Sequence, residues 1–95
     1  MELSFINRKL AKELADEKSI VRSYGTDNGR RICQRLADLM AAENLETLRF
    51  LPQLRAHELG GDRAGTWSIR VNDQWRITFK WVDGHPIDVC FEDYH

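Results

Sequence analysis

The chain has 95 residues, 42% of them hydrophobic, with 14 Lys and Arg against 15 Asp and Glu for a formal net charge of −1. That length supports one core, burying roughly 60 to 65% of the surface the unfolded chain would expose, and leaves no room for a second domain; the composition excludes a disordered chain. The charge balance gives no overall attraction to a polyanion, but Arg55, Arg63, Arg70, Arg76 and Lys80 punctuate the second half, so a local basic face can form.

Met1-Glu2-Leu3-Ser4-Phe5 is not a basic segment leading into an apolar run, and no apolar stretch approaches the roughly 20 residues of a membrane span. A cytoplasmic protein without membrane association is expected. Cys33 and Cys90 lie on separate predicted elements with no Cys-x-x-Cys or Cys/His spacing, so they read as reduced thiols rather than a disulfide or a zinc site.

In chain order, Asn7 is a candidate cap for a first helix that ends near Lys18, with Ile6, Leu10 and Leu14 as its apolar stripe. Ser23 to Gly29 reads as a loop, with Thr26 or Asp27 capping a second helix. The stripe of that helix is Ile32, Leu36, Leu39 and Met40, and Arg30, Arg31, Arg35 and Asp38 fall largely on its wet side. Leu45 and Leu48 suggest one more short helix, stopped before Pro52. Beyond Pro52 the apolar period changes from helical spacing to alternation. Trp67, Ile69 and Val71, then Trp75, Ile77, Phe79 and Trp81, then Ile87, Val89 and Phe91 mark three strands of an antiparallel meander, and a further strand is expected within Leu54 to Leu59.

Residues directly opposite in a hairpin share a face, which fixes the register. A two-residue Asn72-Asp73 turn would set Ile69 against Arg76, whereas a three-residue loop, Asn72-Asp73-Gln74, pairs Val71 with Trp75, Ile69 with Ile77 and Trp67 with Phe79. A second loop containing Asp83-Gly84-His85 aligns Phe79 with Val89 and Ile77 with Phe91. The class is therefore α+β: two amino-terminal helices on the apolar face of an antiparallel sheet, in one domain spanning residues 1–95. The other face carries Ser68, Arg70, Arg76, Thr78, Lys80, Asp88, Cys90 and Glu92, with Arg70 opposite Arg76 and Arg76 opposite Glu92. From periodicity alone it reads as a solvated face on which Glu92 neutralises a neighbour.

Three blocks of sequence go further. His57 to Ile69 (HELGGDRAGTWSI), Asn72 to Phe79 (NDQWRITF) and the terminal Glu92-Asp93-Tyr94-His95 stand in the order and spacing of the HigB family of plasmid-maintenance killer proteins, which this chain resembles over about its last 40 residues. The resemblance implies a RelE-like microbial RNase fold and a toxin that cleaves messenger RNA in the A site of the 70S ribosome. It also implies a HigA-like antitoxin with a helix-turn-helix, through which alone the toxin would meet operator DNA. His57, Asp93, Tyr94 and His95 match the family's functional residues, and Arg76 stands where RelE-like toxins place a phosphate-binding arginine. Gly60 stands where close relatives often carry a lysine, which removes one expected phosphate contact.

These residue types suit the implied reaction. Cutting RNA without a metal needs a base for the 2′-hydroxyl, an acid for the departing 5′-oxygen and a cation for the charge developing on phosphate. Histidine, with an ordinary pKa of about 6.5, suits both proton roles, so His57 and His95 lead. Arg76 is the first choice of cation, with Arg63 and Arg70 as RNA-binding residues. Asp93 can orient His95, and Tyr94 can stack on a base. Asp93 and His95 alternate with Tyr94 along an extended tail, so a single site requires the chain to bend after Phe91 or Glu92. No cofactor is called for. A rival reading is a ParE-like inhibitor of DNA gyrase, which has no need of the His57, Asp93 and His95 set; another is a module that only holds an antitoxin.

Overall fold

The structure, a computed structural model, describes residues 3–94. Its helices are α1 (Arg8–Glu13), α2 (Glu17–Tyr24), α3 (Thr26–Ala41) and α4 (Leu45–Arg49), and its strands are β1 (His57–Glu58), β2 (Thr66–Arg70), β3 (Trp75–Val82) and β4 (His85–Asp93). The strands form one antiparallel sheet in the order β1-β2-β3-β4. The α+β class and the RelE-like arrangement of helices on one sheet face are those expected. Among the described residues no helix is long and apolar enough to cross a membrane.

Each short helix begins at a side chain that satisfies an otherwise orphaned backbone donor. Asn7 accepts from the Leu10 N–H at 2.9 Å, Asp16 from Ser19 at 2.8 Å and Asn44 from Thr47 at 3.0 Å. The Asp16 cap splits the expected first helix in two, and Ile6 lies outside α1, 55% exposed. The expected loop from Ser23 to Gly29 is helical except at Gly25, whose φ of 87° turns the chain directly from α2 into α3. Neither Thr26 nor Asp27 caps α3; Gly25 holds that position. The hairpin closes tightly at Gly29, where a Cβ would lie 3.0 Å from Val21 Cγ2 and 3.2 Å from Val21 Cα.

The core joins Leu14, Ile20, Ile32, Leu36 and Leu39 from the helices to Ile69, Val71, Ile77, Phe79 and Val89 from the sheet. Met40, assigned to the α3 stripe, is 40% exposed at its edge. Arg35, assigned to the wet side, is instead largely buried: it donates to the Arg70 carbonyl at 2.9 Å and pairs with Asp38, tying α3 to the end of β2. At the rim Phe91 stacks on Trp75 and meets Tyr24 edge-on, each at 4.8 Å between ring centroids.

The first hairpin has the expected register, with Trp67 opposite Phe79, Ile69 opposite Ile77 and Arg70 opposite Arg76. Asn72 holds its loop by accepting from the N–H groups of Gln74 and Trp75. The second hairpin reaches the expected Ile77–Phe91 pair by another route, while the expected pairing of Phe79 with Val89 is interrupted where the register shifts between Thr78 and Lys80. Its turn is the two residues Asp83 and Gly84, both at positive φ (51° and 81°), with Val82 opposite His85. A β-bulge at Asp88, φ 51°, then inserts one residue and returns Ile77 to Phe91 and Arg76 to Glu92. The bulge also turns the Val89 backbone outward, where its N–H and C=O pair with Ser4 and Ile6 at the sheet edge. The strand expected within Leu54 to Leu59 shrinks to His57–Glu58, because Pro52 starts a 3₁₀ turn (Pro52–Leu54) that Arg55 ends in the left-handed conformation at φ 46°.

Candidate active site on the second sheet face

The face away from the helices is not the solvated surface that alternation suggests. Ser68 and Thr78 on it are fully buried. Arg63, in the 3₁₀ turn Gly61–Arg63 between β1 and β2, reaches Glu92 on β4 with two parallel bonds, Nη1 to Oε1 at 2.7 Å and Nη2 to Oε2 at 2.5 Å. Glu92 also accepts from Thr78 Oγ1 at 2.6 Å and from Arg76 Nη2 at 3.3 Å. These donors, Arg63 foremost, hold the Glu92 carboxyl down to about 2, although partial burial pushes the other way.

Arg76 lies between this carboxylate and the ring of Tyr94, with its guanidinium carbon 5.4 Å from the ring centroid. Tyr94 arrives on this face because the tail continues the ladder: Asp93 pairs with Trp75, and the Tyr94 N–H donates to the Gln74 carbonyl at 2.8 Å. The bend expected after Phe91 or Glu92 is therefore absent through Tyr94. Asp93 points with Trp75 toward the opposite side and accepts from Gln74 Nε2 at 3.2 Å. His95 lies outside the described residues.

His57, Arg70 and Tyr94 line a shallow cleft of about 460 Å³ together with Arg55 and Asp73. The edge pairing of β1 sets His57 opposite Ser68, which turns the imidazole to the Arg70 and Arg76 side. Its Nδ1 lies 2.9 Å from the Arg55 carbonyl oxygen. A carbonyl only accepts, so this bond requires the proton on Nδ1 and leaves Nε2 with the lone pair of the neutral ring. Arg70 pairs with the carboxylate of Asp73, whose side chain is fully exposed.

The sheet thus brings together His57, Arg63, Arg70, Arg76 and Tyr94, and turns Asp93 away. Sequence reasoning missed Arg55, Thr78 and Asp73, and read Glu92 as a bystander. The Arg76–Glu92 pair was legible from register, whereas the Arg63–Glu92 pair depends on the curl of the Gly61–Arg63 turn. Among the described residues no three His, Cys, Asp or Glu side chains converge as a metal site. A separate apolar hollow of about 400 Å³, lined by residues such as Phe5, Leu14 and Met40, lies on the helical side, and none of the described residues that line it is titratable.

Helices on one sheet face and a histidine, arginines and a tyrosine gathered on the other define a small α+β domain of the RelE-like toxin class. The comparisons agree: the family described as RelE-like toxin of type II toxin-antitoxin system HigB matches residues 4–95. The chain is 37% identical over 84 residues to endoribonuclease HigB of Proteus vulgaris, covering 87% of this chain and 89% of that relative. It is 36% identical over 94 residues to toxin HigB-1 of Vibrio cholerae serotype O1, covering 99% and 98% of the two chains. The chain belongs to the HigB-like toxin family, and a type II toxin implies an antitoxin partner.

Proposed function

We propose that the chain is a metal-independent endoribonuclease, an mRNA interferase that cuts messenger RNA in the A site of the 70S ribosome and so stops translation. The observation that carries this reading is the cleft in which His57, Arg70 and Tyr94 meet above Arg76. His57 is the general base: the Arg55 carbonyl occupies Nδ1, and Nε2 is left to take the 2′-hydroxyl proton. The 2′-oxygen then attacks phosphorus, the bond to the 5′-oxygen breaks, and a 2′,3′-cyclic phosphate and a 5′-hydroxyl result. Arg76 stabilises the charge that develops on phosphate. His95 protonates the leaving oxygen, and Asp93, turned to the Trp75 side, is left out of the reaction.

Tyr94 supplies a ring for an unstacked base, and Arg70 exchanges the exposed Asp73 carboxylate for a backbone phosphate. With its arginines partly neutralised from within, the cleft grips free RNA weakly, which suits an enzyme whose substrate the ribosome presents. The antitoxin is a HigA-like helix-turn-helix protein that carries the toxin to operator DNA, and the pair works in the cytoplasm.

The test is inducible expression in bacteria of the intact chain and of His95→Ala, with messenger RNA ends mapped across the transcriptome. New ends with the intact chain and none with a folded His95→Ala are expected. Growth arrest without new ends is the behaviour of a gyrase-type inhibitor and overturns the reading.

A further inference from the structure

Glu92 is a carboxylate beside the cleft, joined to it through Arg76, which lies against the Tyr94 ring, and a surface glutamate that merely balanced charge would not need four hydrogen bonds. Its oxygens are divided. Oε1 accepts from Arg63 Nη1 and Arg76 Nη2, and Oε2 from Arg63 Nη2 and Thr78 Oγ1. The donors come from the turn before β2 and from β3, so one carboxylate on β4 ties three parts of the site together. The two arginines are engaged differently. Arg63 commits both terminal nitrogens in a fork-to-fork pair, the geometry that best neutralises a carboxylate. Arg76 touches it through Nη2 alone, with its Nε buried beneath and the Tyr94 ring against its guanidinium. The cluster of two guanidinium groups and one carboxylate keeps one positive charge, and the half-engaged Arg76 is where that charge remains available.

Resting on the ribonuclease reading above, we infer that Glu92 is the positioning residue of this site: held by Arg63 and Thr78, it fixes the guanidinium of Arg76 under Tyr94 in the orientation that meets the scissile phosphate. Arg63 is then the counter-charge of Glu92 rather than an RNA contact. Removing the carboxylate leaves two guanidinium groups side by side, and Arg76 loses the contact that selects its rotamer. Orientation of a charged group acts on the transition state more than on substrate binding, so the loss falls on kcat.

The purified full chain, with the variants Glu92→Gln, Arg76→Ala and the double substitution, is assayed for kcat and KM on messenger RNA bound in programmed ribosomes. The expected result is a fall in kcat of about 10- to 100-fold for Glu92→Gln, KM within about threefold, and a double variant no slower than Arg76→Ala alone. Independent, multiplying losses overturn the inference, as does faster cleavage by Glu92→Gln, which would make the carboxylate a blocking anion. A second readout needs neither activity nor the variant: in the wild-type protein, NMR of the guanidinium groups shows resolved, slowly rotating Nη signals for Arg63 and Arg76. Averaged signals for either refute the inference. If the wild-type chain cuts no RNA, the function reading fails and the NMR result still decides the role of Glu92.

Discussion

Glu92→Gln keeps the shape of the side chain and an acceptor for Thr78 while deleting the charge that two arginines share. A carboxyl held below its ordinary range in the folded chain stabilises the fold at every pH above its unfolded value, and that contribution disappears as pH falls through the folded value. For Glu92 the window runs from 4.5 down to about 2. At about 1.4 kcal/mol per pH unit the ceiling is on the order of 3 kcal/mol. The Arg63 side chain is 42% exposed and that of Glu92 20%, so solvent screening reduces the contribution to about 1 to 2 kcal/mol. Urea denaturation followed by tryptophan fluorescence measures it. At about pH 7 the wild-type chain should exceed Glu92→Gln by that amount, and the two curves should converge only as the pH falls through about 2. A gap that stays constant from neutral to acid pH refutes the assignment of this stability to the ionised carboxylate.

At Gly29, alanine gains about 1 kcal/mol of helix propensity but sets a Cβ against the Val21 backbone, which costs about 1 to 3 kcal/mol. Gly29→Ala should lower stability in thermal melts, while Gly60→Ala, with open space around it, should be neutral. Asp88→Val should destabilise by about 1 to 2 kcal/mol in the same melts, because a β-branched residue resists the positive φ of the bulge; Asp88→Gly should not. Asp73→Asn frees Arg70 of its exposed partner and should lower KM for RNA a few-fold at low salt, with a steeper salt dependence than the wild type in binding titrations.

The fold was legible where one rule acted alone. Alternation and the demand that apolar rows share a face set the register from Trp67 to Phe79, and with it the Arg70–Arg76 neighbours. The second hairpin illustrates two errors that cancel: a turn one residue shorter than expected and a bulge at Asp88 leave Ile77 opposite Phe91 all the same. Local capping was harder to weigh. Asp16 is an unremarkable letter in the sequence, yet its cap breaks the first helix, and Gly25 alone suffices for a turn that seven loop-forming residues suggested.

In the candidate site, parity along β4 delivered Tyr94 to the Arg76 face and turned Asp93 away. What alternation does not convey is how polar side chains fold over their own sheet. Thr78 and Ser68 read as wet positions and are buried, because Glu92 leans diagonally to Thr78 and Arg63 reaches in from a turn 29 residues away. Arg35 misleads for the same reason, its long side chain leaving a wet helical position to reach the Arg70 carbonyl.

The most direct test of the central claim is the chemistry of the cut ends. Purified chain, incubated with messenger RNA on programmed ribosomes, should leave a 2′,3′-cyclic phosphate on one fragment and a 5′-hydroxyl on the other. Arg76→Ala and His57→Ala should lose this activity while remaining folded. Fragments bearing 5′-phosphates, or undiminished cutting by both variants, would contradict a cleft in which His57 and Arg76 act on the scissile phosphate.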